Sequence, residues 1–133
     1  MKRLNHDELV LTVPLYEIDI GGGVYHAGYF HFFEQGRESF LRALGFPYPD
    51  LVALGFHLTV AECRVRFYAS LHYNERVVVE TSVTKVGRRS LRFHQRIRRG
   101  EDLCTEADLD LVCVNATGPA LLPEKLKSKL TPA

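Results

Sequence analysis

Between Tyr16 and Tyr29 the chain reads Tyr16-Glu17-Ile18-Asp19-Ile20-Gly21-Gly22-Gly23-Val24-Tyr25-His26-Ala27-Gly28-Tyr29. Glycines let a ligand approach the main chain closely. The unpaired N–H groups at the start of a helix attract negative charge. If the glycines join a strand to a helix, Asp19 stands at the strand end, beside a site able to hold an oxyanion. The other use of an aspartate before glycines is to begin the turn or cap the helix.

The flanking elements decide whether that geometry arises. Residues 9–17 alternate, with Leu9, Leu11, Val13 and Leu15 on one face, and predict a first strand. From Tyr25 to Leu44 the period becomes helical: Tyr29, Phe33, Phe40 and Leu44 share a face, and Glu34, Gln35, Arg37, Glu38 and Arg42 supply the polar side. Gly36, in the middle, costs about 1 kcal/mol relative to Ala and predicts close packing of another backbone. Gly45 is the C-terminal cap, and residues 49–54 add a short helical turn. The remainder reads as strands at 56–68, 76–86, 90–98 and 103–114, then a short helix at 123–130. In the third and fourth of these, Leu91, Phe93, Gln95 and Ile97, and Ala107, Leu109, Leu111 and Cys113, face inward. A basic outer face, Arg92, His94, Arg96 and Arg98, then meets an acidic one, Glu106, Asp108 and Asp110. A single domain over residues 1–133, α+β in class, follows: one long central helix wrapped by a curved antiparallel sheet of about five strands.

Asp19, the glycine turn, Val24-Tyr25-His26-Ala27, Tyr29 and the aromatic helix with Phe33-Glu34 together resemble the hotdog-fold acyl-CoA thioesterases of the 4-hydroxybenzoyl-CoA thioesterase group, YbgC-type branch. The resemblance runs from about Leu11 to Leu130. It implies the hotdog fold and hydrolysis of acyl-CoA to free acid and coenzyme A. Asp19 would act as general base or nucleophile, and the His26 backbone N–H would polarise the carbonyl. The His26 imidazole is either a partner for Asp19 or the thioester, or a packing residue. Tyr25 is a catalytic candidate or a wall aromatic, and Glu34 is the second carboxylate. Gly22, Gly23 and Tyr29 would line the substrate site. Many YbgC-type members carry a tyrosine where this chain has Leu15, and strand alternation aims Tyr16 at the opposite face.

A basic run, Lys85, Arg88, Arg89, Arg92, Arg96, Arg98 and Arg99, reads either as a solvated hairpin face or as a phosphate grip. In the second reading Arg88, Arg89 and Ser90 hold coenzyme A phosphates, since guanidinium forks match that geometry. Nucleic acid is disfavoured by a formal charge of +1 and by the lack of interleaved aromatics on that face. Three cysteines, Cys63, Cys104 and Cys113, show no metal or redox spacing and read as reduced, mostly packed thiols. No metal and no cofactor are expected. The residues from Met1 to Glu8 lack a secretion leader's apolar run, and no stretch is long enough to span a bilayer, so the protein reads as cytoplasmic. An open sheet predicts a homodimer or homotetramer with active sites at the dimer interface. A non-enzymatic acyl-CoA or nucleic-acid binding module, or a hotdog hydratase or dehydratase, are the alternative functions.

Overall fold

The structure, a computed structural model, describes residues 5–130. The strands are β1 (His6–Thr12), β2 (His57–Phe67), β3 (Arg76–Val86), β4 (Ser90–Arg99), β5 (Asp102–Asn115) and the two-residue β6 (Gly118–Pro119). The helices are α1 (His26–Leu44), α2 (Tyr48–Ala53) and α3 (Glu124–Lys127). The sheet is antiparallel in the order β1-β3-β4-β5-β2, with β6 beside β5. One long helix lies on the inner face, the hotdog arrangement implied by the resemblance.

Helix α1 forms where the sequence predicts it because its apolar residues recur at helical spacing. Gly28, Tyr29, Phe32, Phe33, Gly36, Phe40, Leu41 and Leu44 are buried along one stripe, and Gly45 closes the helix with a left-handed backbone. The expected approach at Gly36 is present, but side chains make it, not a backbone. A Cβ there would lie 2.6 Å from Val79 Cγ1, 2.8 Å from Thr81 Oγ1 and 2.9 Å from Gln95 Nε2. Gln95 is wholly buried, and its amide donates to the Phe33 carbonyl (2.8 Å) and to Thr81 Oγ1 (2.9 Å), while Arg37 Nη1 donates to its Oε1 (3.1 Å). This network joins helix to sheet through hydrogen bonds made by a wholly buried side chain.

The first strand is shorter than its alternation suggested. β1 ends at Thr12, because Pro14 has no N–H to continue a ladder, and Val13 instead bonds the β2–β3 connection through Glu75 O (2.9 Å) and Asn74 N (2.9 Å). Leu15–Glu17 is a 3-10 turn. The opposite-face argument for Leu15 and Tyr16 therefore fails: both are exposed, and Glu17 is the buried residue of the three. Asp19 accordingly follows a helical turn, not a strand end.

On β4 and β5 the alternation holds as read, and the outer face carries the expected ladder. Arg92 stands opposite Asp110, His94 opposite Asp108 and Arg96 opposite Glu106. The Arg92 guanidinium donates to both Asp110 oxygens (2.7 and 3.1 Å), which holds that carboxyl below its usual range. These pairs fix register at the surface as the core residues fix it inside.

Helix α1 contacts β1 and β3, which leaves the far edge of the sheet bare. On β2, Leu58, Val60, Cys63, Val65 and Phe67 stand opposite the inward-facing Cys113, Leu111, Leu109, Ala107 and Thr105. They share that inner face, yet none of them is buried. Replacing Gly36 by Ala should thus cost stability although alanine favours helix. The overpacking term of about 1–3 kcal/mol exceeds the helix gain of about 1 kcal/mol. Urea unfolding measures the difference, and an unchanged or raised midpoint would refute the tight-contact account.

Candidate active site

Residues 17–25 form a zipped loop in front of α1. Tyr25 N–H donates to Glu17 O (2.9 Å), Asp19 N–H to Gly23 O (3.0 Å) and Gly22 N–H to Asp19 O (3.1 Å), and Ile18 bridges Val24. Gly22 takes a φ of 89°, which a side chain would oppose. The loop is tied sideways as well, since Val24 N–H donates to Leu71 O (2.8 Å) and Gly23 bridges His72.

The Asp19 carboxylate accepts the Gly21 N–H at Oδ1 (2.8 Å), and Oδ2 has no protein partner among the described residues. The turn-forming role and an available oxygen thus coexist. α1 begins at His26, so the His26 and Ala27 amides lack intrahelical acceptors, and the Tyr25 side chain does not cap them. The Gly28 N–H is already bonded to Tyr25 O (2.7 Å). A carboxylate and two free amides therefore flank one loop.

The His26 imidazole leans on Phe67 of β2, ring centres 5.0 Å apart, and makes no hydrogen bond to Asp19 among the described residues. Tyr25 is exposed. Tyr29, expected on the substrate wall, is a core residue at 2 % exposure: its ring meets Phe67 and Phe32, and its hydroxyl accepts the Leu71 N–H (3.1 Å). Burial pushes its phenol up from the ordinary value.

Glu34 is set apart from this loop, on the rim of a cavity of about 250 Å³ between α1 and β2. Arg37, Leu41, Tyr48, Leu58 and Val60 also line it. Arg37 is half-buried with a single hydrogen bond, to Gln95, and no carboxylate within ion-pair distance among the described residues; burial lowers its pKa. The unburied inner face of β2 continues from Leu58 and Val60 at this cavity to Phe67, whose ring meets His26.

The basic run divides. Arg92, Arg98 and Arg99 are engaged by Asp110, by Glu8 and Glu80, and by Glu75, and Arg96 lies 3.9 Å from Glu106. Lys85, Arg88 and Arg89 form no ion pair among the described residues. The β3–β4 turn carries Arg88, Arg89 and Ser90, and their backbone is anchored by Leu122 N–H to Arg88 O (2.9 Å), Cys113 N–H to Arg89 O (2.7 Å) and Gly87 N–H to Ser90 O (2.8 Å). This turn is at the wrong end of the sheet for the Asp19 loop. Thr12 pairs Arg76 at the start of β3, whereas the turn follows its end at Val86, about 30 Å away at the rise of an extended strand. One copy of the chain does not bring these groups together.

Sequence reasoning missed a further contact. Glu17, read as the end of a strand, is buried and accepts the His31 Nδ1 hydrogen at both oxygens (2.8 and 3.1 Å). No motif links the two positions. The hint was Gly28 at the start of the helix, where a Cβ would lie 3.2 Å from Glu17 Oε1. On the outer face, His6, Glu8 and Glu80 offer ligand atoms within 4.8 Å of one another, but Arg98 occupies both carboxylates.

A family model described as the thioesterase-like superfamily matches residues 13–130. The chain belongs to that family. An acyl-CoA thioester hydrolase YbgC of Escherichia coli O6:H1 is 33% identical over 117 residues, 87% of this chain and 82% of the relative. An acyl-CoA thioesterase YbgC of Haemophilus influenzae is 31% identical over 117 residues, 84% of this chain and 85% of the relative. The crystal structure of a DHNA-CoA thioesterase from Staphylococcus aureus superposes with a TM-score of 0.88 at 26% identity, covering 95% of this chain and 91% of that one. For this thioesterase-like chain the matched span contains the Asp19 loop, α1 and the whole inner face of the sheet from β2 to β5.

Tyr29→Phe keeps the ring and deletes the acceptor for the wholly buried Leu71 N–H. The expected loss is about 1–3 kcal/mol of stability, the cost of an unpaired buried donor. Denaturant unfolding reads it, and a parental midpoint would show that the hydroxyl does not anchor the loop.

Proposed function

We propose that the protein hydrolyses acyl-CoA thioesters to free acid and coenzyme A. The observation that carries this reading is the placement of the free Asp19 oxygen and the unpartnered His26 amide on either side of one braced loop. The thioester oxygen accepts the His26 N–H, so charge developing on it meets a fixed donor at the positive end of α1. Asp19 then attacks the carbonyl carbon itself or takes a proton from the attacking water, the thiolate of coenzyme A leaves, and water supplies the hydroxyl of the acid. The groove over β2 holds the acyl group, with apolar Leu58, Val60 and Val65 along its floor.

The site needs a second copy of the chain. β1 and β2 are the two sheet edges, and only β2 combines an open edge with a bare apolar inner face. Two β2 strands pairing antiparallel about a two-fold axis join the sheets and enclose both grooves. That pairing sets the start of the partner's β2 beside the end of this one, at Phe67. Ser90 pairs Val112, near the Val114 that pairs His57, so the β3–β4 turn accompanies the start of β2. Arg88 and Arg89 of the partner subunit thus arrive at the Asp19 end, where the phosphates of coenzyme A need cations. The 30 Å separation within one copy becomes the reason the site is shared.

Asp19→Asn should preserve melting and assembly while lowering turnover of an acyl-CoA panel by about two to four decades. Turnover near the parental value would remove Asp19 from the chemistry and promote Glu34. Label found in the Asp19 carboxyl after a single turnover in ¹⁸O water would establish direct attack, with the anhydride opened at the aspartyl carbon and the acid leaving with an Asp19 oxygen; general-base catalysis never labels that carboxyl.

Mixing tests the sharing. Asp19→Asn alone loses kcat, and the Arg88→Ala/Arg89→Ala double variant alone raises KM, because distant phosphate contacts act equally on ground and transition states. Co-refolded together, the two variants should regain sites of parental kcat and KM, one in each mixed dimer. No recovery in a demonstrated mixed dimer would place the arginines in the same subunit's site or outside it.

A further inference from the structure

We propose that Glu17 and His31 are a positioning pair that holds the Asp19 turn against the start of α1; this rests on the thioester-hydrolysis reading above. The pair is asymmetric, with Glu17 at 6 % exposure and the His31 side chain at 63 %. A carboxylate accepts only, so His31 Nδ1 carries the shared hydrogen. Both Glu17 oxygens bond that one nitrogen, at 2.8 and 3.1 Å, and neither has another partner among the described residues. Without His31, a buried carboxylate would be left with nothing to replace its lost water.

The location gives the pair its consequence. Glu17 is two residues before Asp19, and its own carbonyl receives the N–H of Tyr25, the residue before His26. The two catalytic groups therefore hang from either side of the Glu17 backbone. His31 is one turn into α1, so the side-chain bond closes a bracket across the loop, from the 3-10 turn to the helix whose first amide polarises the carbonyl. It is the one side-chain hydrogen bond joining residues 15–19 to α1 among the described residues. Two close contacts mark the fit: a Cβ on Gly28 would lie 3.0 Å from Val24 Cγ1 and 3.2 Å from Glu17 Oε1, so the carboxylate rests directly on the first helical turn. That turn favours negative charge.

The bracket touches no substrate, so its loss should change how well the reacting groups are aimed and leave ground-state binding alone. A displacement of about 1 Å is worth up to about a hundredfold in rate. His31→Ala should lower kcat by about ten- to a hundredfold with KM unchanged. Glu17→Ala should do the same, and the double variant should be no slower than the worse single one, since each removes the same bond. Glu17→Gln keeps an acceptor for His31 and should stay within about threefold of the parental kcat, a rescue that lost burial alone would not give. All are assayed at a temperature where the far-ultraviolet dichroism matches the parent. If Glu17→Ala does not fold, His31→Ala and Glu17→Gln decide between them, because His31 is exposed. Parental kcat in His31→Ala, a rise in KM at constant kcat, or losses that simply multiply would each overturn the positioning role while leaving thioester hydrolysis intact. A parent inactive on every acyl-CoA tried would overturn both.

Discussion

The separation between α1 and the sheet is set where Gly36 meets Val79, Thr81 and Gln95, and most of the molecule follows from that contact. With no side chain at position 36 the helix sinks until the Gln95 amide reaches the Phe33 carbonyl. A glutamine on a core strand would be a cost anywhere else; here all of its bonding groups at the helix face are used. Held at that depth against β1 and β3, the helix and its side chains leave the inner faces of β3, β4 and β5 buried and that of β2 open to solvent. Closeness at one point and vacancy beside it are two sides of one placement.

The charge distribution obeys a similar economy. The β4 arginines Arg92, Arg96, Arg98 and Arg99 each have a carboxylate partner, and these pairs favour one register without gathering a field that would attract polyanions. Arg88 and Arg89 on the β3–β4 turn form no ion pair among the described residues, and their backbone is clamped by Cys113 and Leu122. A braced turn carrying unpaired cations is what the proposed phosphate contact requires.

Much of this was legible from residue order. The helix, all four long strands and the facing charges of β4 and β5 follow from periodicities that burial enforces, so pattern and structure coincide there. Four things were not legible, each for a physical reason. Residues 13–17 alternate like a strand, but Pro14 cannot donate to a ladder, and the loss of that one N–H turns Glu17 inward. The resemblance puts Tyr29 on the substrate wall while its spacing puts it on the apolar face of α1, and neither reveals that a distant Leu71 N–H would claim its hydroxyl. Nothing in residue order tells how far Arg88 and Arg89 lie from Asp19; the register of β1 on β3 separates them. The Asp19 loop itself was recognisable in composition and position, and its bracing by Glu17 was not, because a hydrogen bond between a turn and a helix has no period.

The rungs that zip residues 17–25, together with the ties to Leu71 and His72, mean that this loop is ordered before any ligand arrives. Fixing a backbone residue costs about 1–2 kcal/mol of conformational entropy, and a loop of this size left free would impose that cost at each encounter. Here it is met once, during folding, by core residues such as Val24 and Leu71. The attraction between protein and ligand can then be spent on distorting the reacting bond instead of on quieting the chain around it.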